Sequence, residues 1–219
     1  MLKKVFLALA VAVVGFAAVV ASRPSTFRVE RSITIAAPVD LPFGIVNDFH
    51  KWHFWSPWEA LDPNMKKTFD GPFAGPGAIY AWSGNEAAGE GKMTILESKP
   101  YESIHIELEF LKPWPGKSLT LVTYQPVPEG IQMTWAMEGQ NDFMGKAVSM
   151  FIDMDAMLGK DFEKSLATIK TLTEQEAKNR LEREARLKAK AEAEAAAKAA
   201  QAAPAAVPNG PAQAATTTP

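Results

Sequence analysis

Apolar and polar residues alternate along much of the chain from Phe27 onward, which is the pattern of β-strands with one buried face. The clearest case is SIHIELEF, residues 103–110, in which every second residue is apolar. Gly, Pro and Asn separate such segments, so we predict one strand at 27–35 and six more between Met65 and Glu138. In the sixth, Leu119, Leu121 and Thr123 alternate with polar or aromatic residues. Successive antiparallel strands of this kind form a curved sheet with one apolar face.

The pattern then changes to apolar residues at three- and four-residue steps, which predicts one amphipathic helix from Lys146 to Leu172. Its apolar stripe consists of Val148, Phe151, Met154, Leu158, Phe162, Leu166, Ile169 and Leu172. A long helix laid across a curved sheet leaves space between the two if the sheet wraps far enough, and that space is the expected site.

The connection after the first strand contains a predicted short helix, PVDLPFGIVNDF, with Pro38 and Asp40 near its start. The next stretch, NDFHKWHFWSPWEALDP at residues 47–63, holds three Trp, two Phe and two His where an ordinary loop would be polar. Aromatic rings bring large areas to bury, so these side chains either plug the core or line a ligand's entrance.

Residues 1–23 form a separate apolar segment. An uncharged run, Val5 to Ala21, follows Lys3 and Lys4 and ends before Arg23. It is long for the core of a secretory signal and at the short limit for a spanning helix, so we expect an uncleaved anchor, with a cleaved signal as the alternative. The lysines before the run favour a cytoplasmic N-terminus. The domain would then lie on the periplasmic or extracytoplasmic side, tethered by a single pass or released after cleavage.

Beyond a domain at residues 27–173 the composition changes twice. Residues 174–203 are mainly strong helix formers of mixed charge with almost no apolar stripe, which predicts a charged, Ala-rich helical extension. Residues 204–219 are low-complexity Ala, Pro and Thr, which we expect to be disordered. Composition alone assigns the tail no protein partner.

The net charge, the absence of Cys and the spacing of the His residues argue against several functions. The formal net charge is −2, which gives no electrostatic support to nucleic-acid binding, and the absence of Cys removes thiolate metal sites and Cys nucleophiles. His50 and His53 lack a third ligand at a convincing spacing, so no metal and no cofactor are expected. No nucleophile elbow, phosphate loop or catalytic constellation is visible, and the chemistry favours binding over catalysis.

The segments FRVERSITIAAPVD, NDFHKWHFWSPW and GKDFEKSLATIKTL, in this order, resemble the START-like helix-grip superfamily known as SRPBCC. The similarity extends from Phe27 to Leu172 and is greatest to membrane-anchored bacterial members described as polyketide cyclase-like. It implies an α+β fold in which a curved seven-stranded antiparallel sheet wraps around a long C-terminal helix, with two short helices between strands 1 and 2. In that superfamily the sheet and helix enclose a deep hydrophobic cavity, and the aromatic connection forms the short second helix near one end of it.

The function expected from this resemblance is binding of a hydrophobic small molecule or lipid in a membrane-tethered domain. A polyketide cyclase or dehydratase, and a non-catalytic envelope scaffold, are the alternatives. The cavity-lining candidates are aromatic and Met side chains of the connection, the strands and the helix: Trp52, Trp55, Trp58, Tyr80, Trp82, Trp135, Met137, Phe151, Met154 and Met157. For any single one of them, filling the core is the better explanation, whereas as a group they make a cavity credible.

Overall fold

The computed structural model describes residues 2–151 and 153–202, with side chains through residue 199. The tail predicted at residues 204–219 lies outside the described residues. The chain divides into two compact units, 1–177 and 178–219. Within its described part the second unit is helical through Ala202, and its side chains are exposed from Leu181 to Ala199.

The first unit contains all the strands of the described chain. In order the elements are α1 (Leu2–Ala21), β1 (Thr26–Ile35), α2 (Asp40–Val46), two 3₁₀ helices (Phe49–Phe54 and Pro57–Ala60), β2 (Lys66–Asp70), β3 (Ile79–Ser83), β4 (Glu90–Lys99), β5 (Ser103–Lys112), β6 (Gly116–Val127), β7 (Gly130–Gln140), α3 (Phe143–Val148) and α4 (Met154–Ala202).

One seven-stranded antiparallel sheet, in the order β1-β7-β6-β5-β4-β3-β2, packs against α4. Strands β2 through β7 are neighbours in the sheet in the order of the chain, and β1 completes the sheet by pairing with β7 along its whole length. The short helices between β1 and β2 pack on the same side as α4, because their buried rings join the core cluster that includes Phe162. This is the helix-grip fold that the resemblance implied.

The two ends of the sheet carry different segments. Thr26 pairs with Gln140, Ser118 with Gly139 and Phe110 with Gly116, so the start of β1, the end of β7 and the β5–β6 loop lie together. We call this the α1 end, because α1 leads into β1 there. The β2–β3 loop (71–78), the β4–β5 turn and the β6–β7 turn lie at the opposite end.

In β6 the buried residues are not the alternating set that contains Leu119 and Leu121. The other alternating set faces the core. Thr120, Val122 and Tyr124 are buried, whereas Leu119 is exposed. Their partners in β7 are Met137, Trp135 and Met133, all of them in the core. Both alternating sets of LTLVTY contain apolar residues, so the pattern within β6 was ambiguous and pairing with β7 decides the face.

The single helix predicted from Lys146 to Leu172 is wrong at its start. α3 ends at Val148, and α4 begins at Met154, where the Asp153 side chain accepts a hydrogen bond from the N–H of Ala156 at 3.0 Å. A side-chain oxygen at this position satisfies an otherwise unpaired N–H of a new helix. Val148 and Phe151 therefore do not share a face with Phe162, and both are exposed.

Candidate functional site

Aromatic rings meet between the sheet and α4, around Trp135 of β7. Trp135 is only 2% exposed. Its ring centroid lies 5.4 Å from that of Trp55, 5.5 Å from Phe162, 5.9 Å from Trp52 and 6.4 Å from Trp58. The rings meet edge-on or tilted, which is the arrangement that aromatic quadrupoles favour. We call these five side chains the aromatic cluster.

Local hydrogen bonds direct two of these rings inward. The Asp48 side chain caps the first 3₁₀ helix by accepting from the N–H of His50 at 3.0 Å. The indole N–H of Trp52 then donates to the carbonyl of Val46 at 2.9 Å, and that of Trp55 donates to Ile45 at 3.3 Å. The last turn of α2 thus holds both indoles. This geometry accounts for the aromatic connection seen in the sequence.

Trp135 differs from these neighbours in its polar atom. Among the side chains that the structure describes, its indole N–H is the buried polar group that has no hydrogen-bond partner. Trp82, by contrast, donates to the carbonyl of Ala88 at 3.0 Å. Leaving a buried donor unpaired costs about 1–3 kcal/mol, so a group that accepts this hydrogen bond would recover free energy. The sequence marked Trp135 as a candidate but carried no signal for its unpaired N–H.

A polar group borders the core near β3. The Tyr80 hydroxyl donates to Oε1 of Glu59 at 2.8 Å, and Lys67 forms an ion pair with the same carboxylate. Burial of Tyr80 and its bond to Glu59 raise the pKa of the phenol, so it stays protonated at neutral pH. Glu59 therefore already has two partners, and we interpret Tyr80, Glu59 and Lys67 as a structural network.

A second polar group, which the sequence analysis missed, joins β1 to α4. Arg31 falls on the apolar parity of β1, and its guanidinium contacts both oxygens of Asp155 at 2.9 Å and Oε1 of Glu163 at 2.8 Å. These hydrogen bonds from Arg31 lower the pKa of Asp155. An Arg among the inward residues of a strand was the available signal. The contact positions the start of α4 over the sheet.

The remaining candidates occupy different environments. Met137 is buried in β7, and Trp82 and Met154 are half-buried. Phe151 and Met157, however, are 80% and 51% exposed. Phe151 precedes α4 and Met157 lies in its first turn, and neither is part of the aromatic cluster.

Two openings lie away from Trp135. The smaller, about 200 Å³, is at the opposite end and includes His50, whose ring stacks between Phe69 and Phe73 at centroid distances of 4.2 and 4.3 Å. The larger, about 730 Å³, is open to solvent and lies along β1, β6 and β7, where Arg28 pairs with Glu138. Across residues 2–151 and 153–202 no three His, Asp or Glu side chains are grouped so that they could hold a metal ion.

Several solved structures are similar to this chain. The chain is similar to the di-domain ARO/CYC protein StfQ from the steffimycin biosynthetic pathway, with 12% identity and a TM-score of 0.53 over 69% of this chain and 52% of StfQ. It is also similar to CV1439 from Chromobacterium violaceum, with 20% identity and a TM-score of 0.49 over 69% of this chain and 98% of CV1439. Ginseng major latex-like protein 151 from Panax ginseng has 13% identity and a TM-score of 0.48 over 68% of this chain and 99% of the ginseng protein.

A search of curated proteins found no match. The model of one family, described as polyketide cyclase/dehydrase and lipid transport, matches residues 26–174, which is more than half of the chain and contains the whole sheet and the aromatic cluster. The chain therefore belongs to the polyketide cyclase/dehydrase and lipid transport family.

Proposed function

We propose that this protein is a membrane-tethered domain that binds a hydrophobic small molecule or lipid between its sheet and α4. The observation that carries the proposal is the unpaired indole N–H of Trp135 within the aromatic cluster. An apolar ligand with a hydroxyl or carbonyl oxygen would bury its hydrocarbon against these rings and accept the free hydrogen bond. Lipid transport in the description of the family agrees with such a ligand.

Burial of apolar area supplies the affinity in this mechanism, at about 25 cal/mol per Å². The single hydrogen bond to Trp135 fixes orientation, since ligand sites combine apolar walls with a few placed polar groups. The rings of Trp52, Trp55 and Trp58 belong to the connection between α2 and β2, so they move apart from Trp135 if that connection shifts outward to admit a ligand. Met137, buried two residues after Trp135 in β7, adds flexible apolar surface.

Tethering rests on α1. This helix is long and apolar enough to cross a membrane, and Val20 is its one buried residue. Lys3 and Lys4 precede the apolar run, and the positive-inside rule then favours the domain on the extracytoplasmic side. Signal cleavage after α1 would instead release the same domain as a secreted or periplasmic protein.

The test is native mass spectrometry of the full chain released from detergent micelles, followed by solvent extraction of any bound compound. We expect a stoichiometric apolar ligand that carries an oxygen. Trp135→Phe removes the free donor and should lower occupancy roughly tenfold, on the order of one hydrogen bond to a buried donor. Trp82→Phe is the matched control, because its N–H already has an internal acceptor; its occupancy should match that of the wild type.

A polypeptide that carries no ligand, and that takes up none of a panel of fatty acids, isoprenoid alcohols and hydrophobic fluorescent probes, would overturn the proposal. That result would favour the envelope scaffold, with α1 and the charged helical extension as the functional parts. An identified ligand that the protein converts into a product would instead favour the cyclase or dehydratase alternative.

A further inference from the structure

The short helix α3 and the turn after it expose large apolar side chains. Met144, Val148 and Phe151 recur at four- and three-residue steps, which places them on one face, and all three are exposed. Gly145, Lys146, Ala147, Ser149 and Met150 are the half-buried residues of this segment. A short helix on a water-soluble surface would show the opposite arrangement. The exposed apolar face therefore needs an apolar environment.

A second exposed aromatic residue lies at the same end of the sheet. Trp114 is 80% exposed in the β5–β6 loop. Strand pairing brings this loop beside the end of β7, because Phe110 pairs with Gly116 and Ser118 pairs with Gly139. α3 begins shortly after β7 ends at Gln140. Two separate segments thus present apolar side chains at the α1 end.

The end of α1 lies against this surface. The Lys146 side chain of α3 reaches the carbonyl of Ala21, the last residue of α1, at 3.5 Å, and Val20 is buried there. The backbone N–H of Asn141 donates to the carbonyl of Ser25 at 2.8 Å, which fixes the chain between α1 and β1 to the start of α3. The helix α3 is therefore next to the point where an apolar helix ends, with Met144 and Val148 on the side of α3 away from Lys146.

We propose that the α1 end of the domain is embedded in the headgroup region of the bilayer that α1 crosses, with α3, Phe151 and Trp114 as the inserted surface. The inference rests on the membrane tethering in the proposed function. We assign lipid as the occupant of this surface because the end of α1 contacts α3, so the surface of a bilayer that α1 crosses lies beside α3. Trp favours the membrane–water interface, and an amphipathic helix lying in that plane buries its apolar face in it.

The chain has no Cys, so single-Cys variants can be labelled at one site. The full chain with Phe151→Cys or Trp114→Cys, labelled with the fluorophore NBD, is reconstituted into vesicles of phosphatidylcholine and phosphatidylglycerol. Phe73→Cys is the matched control, an aromatic residue 69% exposed at the opposite end. We expect lipid-borne doxyl groups to quench labels 151 and 114 severalfold more than label 73, and aqueous iodide to show the reverse order.

Three results would contradict the inference. If all three labels are quenched by iodide while the chain resists carbonate extraction, tethering stands and the insertion of this end is overturned. If labels 151 and 114 emit at shorter wavelength than label 73 but lipid-borne quenchers have no effect, the surface contacts another copy of the chain or another protein instead. If carbonate releases the chain, tethering and insertion both fail, and ligand binding is still decided separately by the mass spectrum.

Discussion

Gly159 of α4 leaves open the space that the guanidinium of Arg31 occupies. A Cβ at residue 159 would overlap Nη2 and Cζ of Arg31. From this position Arg31 reaches both oxygens of Asp155 on the preceding turn and Glu163 on the following turn. A residue without a side chain therefore lets one cation of β1 hold two turns of the long helix.

Gly159→Ala should destabilise the protein. Replacing Gly by Ala inside a helix usually stabilises by roughly 0.5–1 kcal/mol, but here the new methyl group displaces the guanidinium from Asp155. We expect the melting temperature of the full chain to fall by a few degrees in a thermal unfolding measurement. Gly44→Ala in α2, where a Cβ meets nothing within 4 Å, is the control and should be neutral or stabilising. A stabilised Gly159→Ala would show that the ion pair adapts without loss.

The Arg31–Asp155 pair predicts a specific acid dependence. Hydrogen bonds from Arg31 lower the pKa of Asp155 below its ordinary 3.8, so the folded state favours the charged carboxylate. Its contribution is then fully present above about pH 3.8 and is lost as the pH falls through the lowered value. The melting-temperature difference between wild type and Asp155→Asn should be constant near neutrality and shrink below that pH.

Glu86→Gln, which changes an exposed carboxylate of the β3–β4 loop, is the matched control for this titration. Its melting temperature should follow that of the wild type across the same range. A difference for Asp155→Asn that persists in acid would mean that Asp155 acts through its shape and not through its charge.

Two Phe residues that the sequence placed on one helical stripe should respond in opposite ways. Phe162 is fully buried and contacts Trp135 and Trp58, so Phe162→Ala should lower the free energy of unfolding by about 3–5 kcal/mol. Phe151 lies in the break between α3 and α4, and Phe151→Ala should change the free energy of unfolding by less than about 0.5 kcal/mol in detergent. Denaturant unfolding of the two variants measures this; equal losses would mean that α3 and α4 form one helix.

Asp48 should matter for the position of the aromatic cluster. Its buried side chain accepts from the N–H and Nδ1 of His50 and caps the first 3₁₀ helix, which carries Trp52. Asp48→Ala leaves these donors unpaired and should cost about 1–2 kcal/mol, with a reduced near-ultraviolet circular dichroism signal from the Trp side chains. Asp48→Asn retains an oxygen acceptor and should restore most of the signal. An unchanged signal in Asp48→Ala would show that the indole bonds to Val46 and Ile45 suffice.

The residue pattern was sufficient to predict the seven strands along the chain and the buried face of several of them. In β5 and β7 the large apolar residues fall on one alternating set, so Ile104, Ile106, Met133 and Trp135 could be assigned to the buried face without a structure. The same holds for the central turns of α4, where Phe162, Leu166 and Ile169 recur at helical spacing. Strong periodicity within one segment predicts its buried face, because the core buries the side of the segment on which the apolar residues lie.

Tertiary structure alone decided the rest. β6 offered two apolar faces, and its pairing with β7 selected Val122 over Leu121. The cap at Asp153 starts a separate helix, so Phe151 does not continue the apolar stripe of α4 and is exposed. Whether the indole of Trp135 finds an acceptor, and whether Arg31 fits over Gly159, depends on atoms far away in the chain. Hydrogen bonds and close contacts between distant residues have no periodic signature, so these features appear only once the sheet and α4 are packed together.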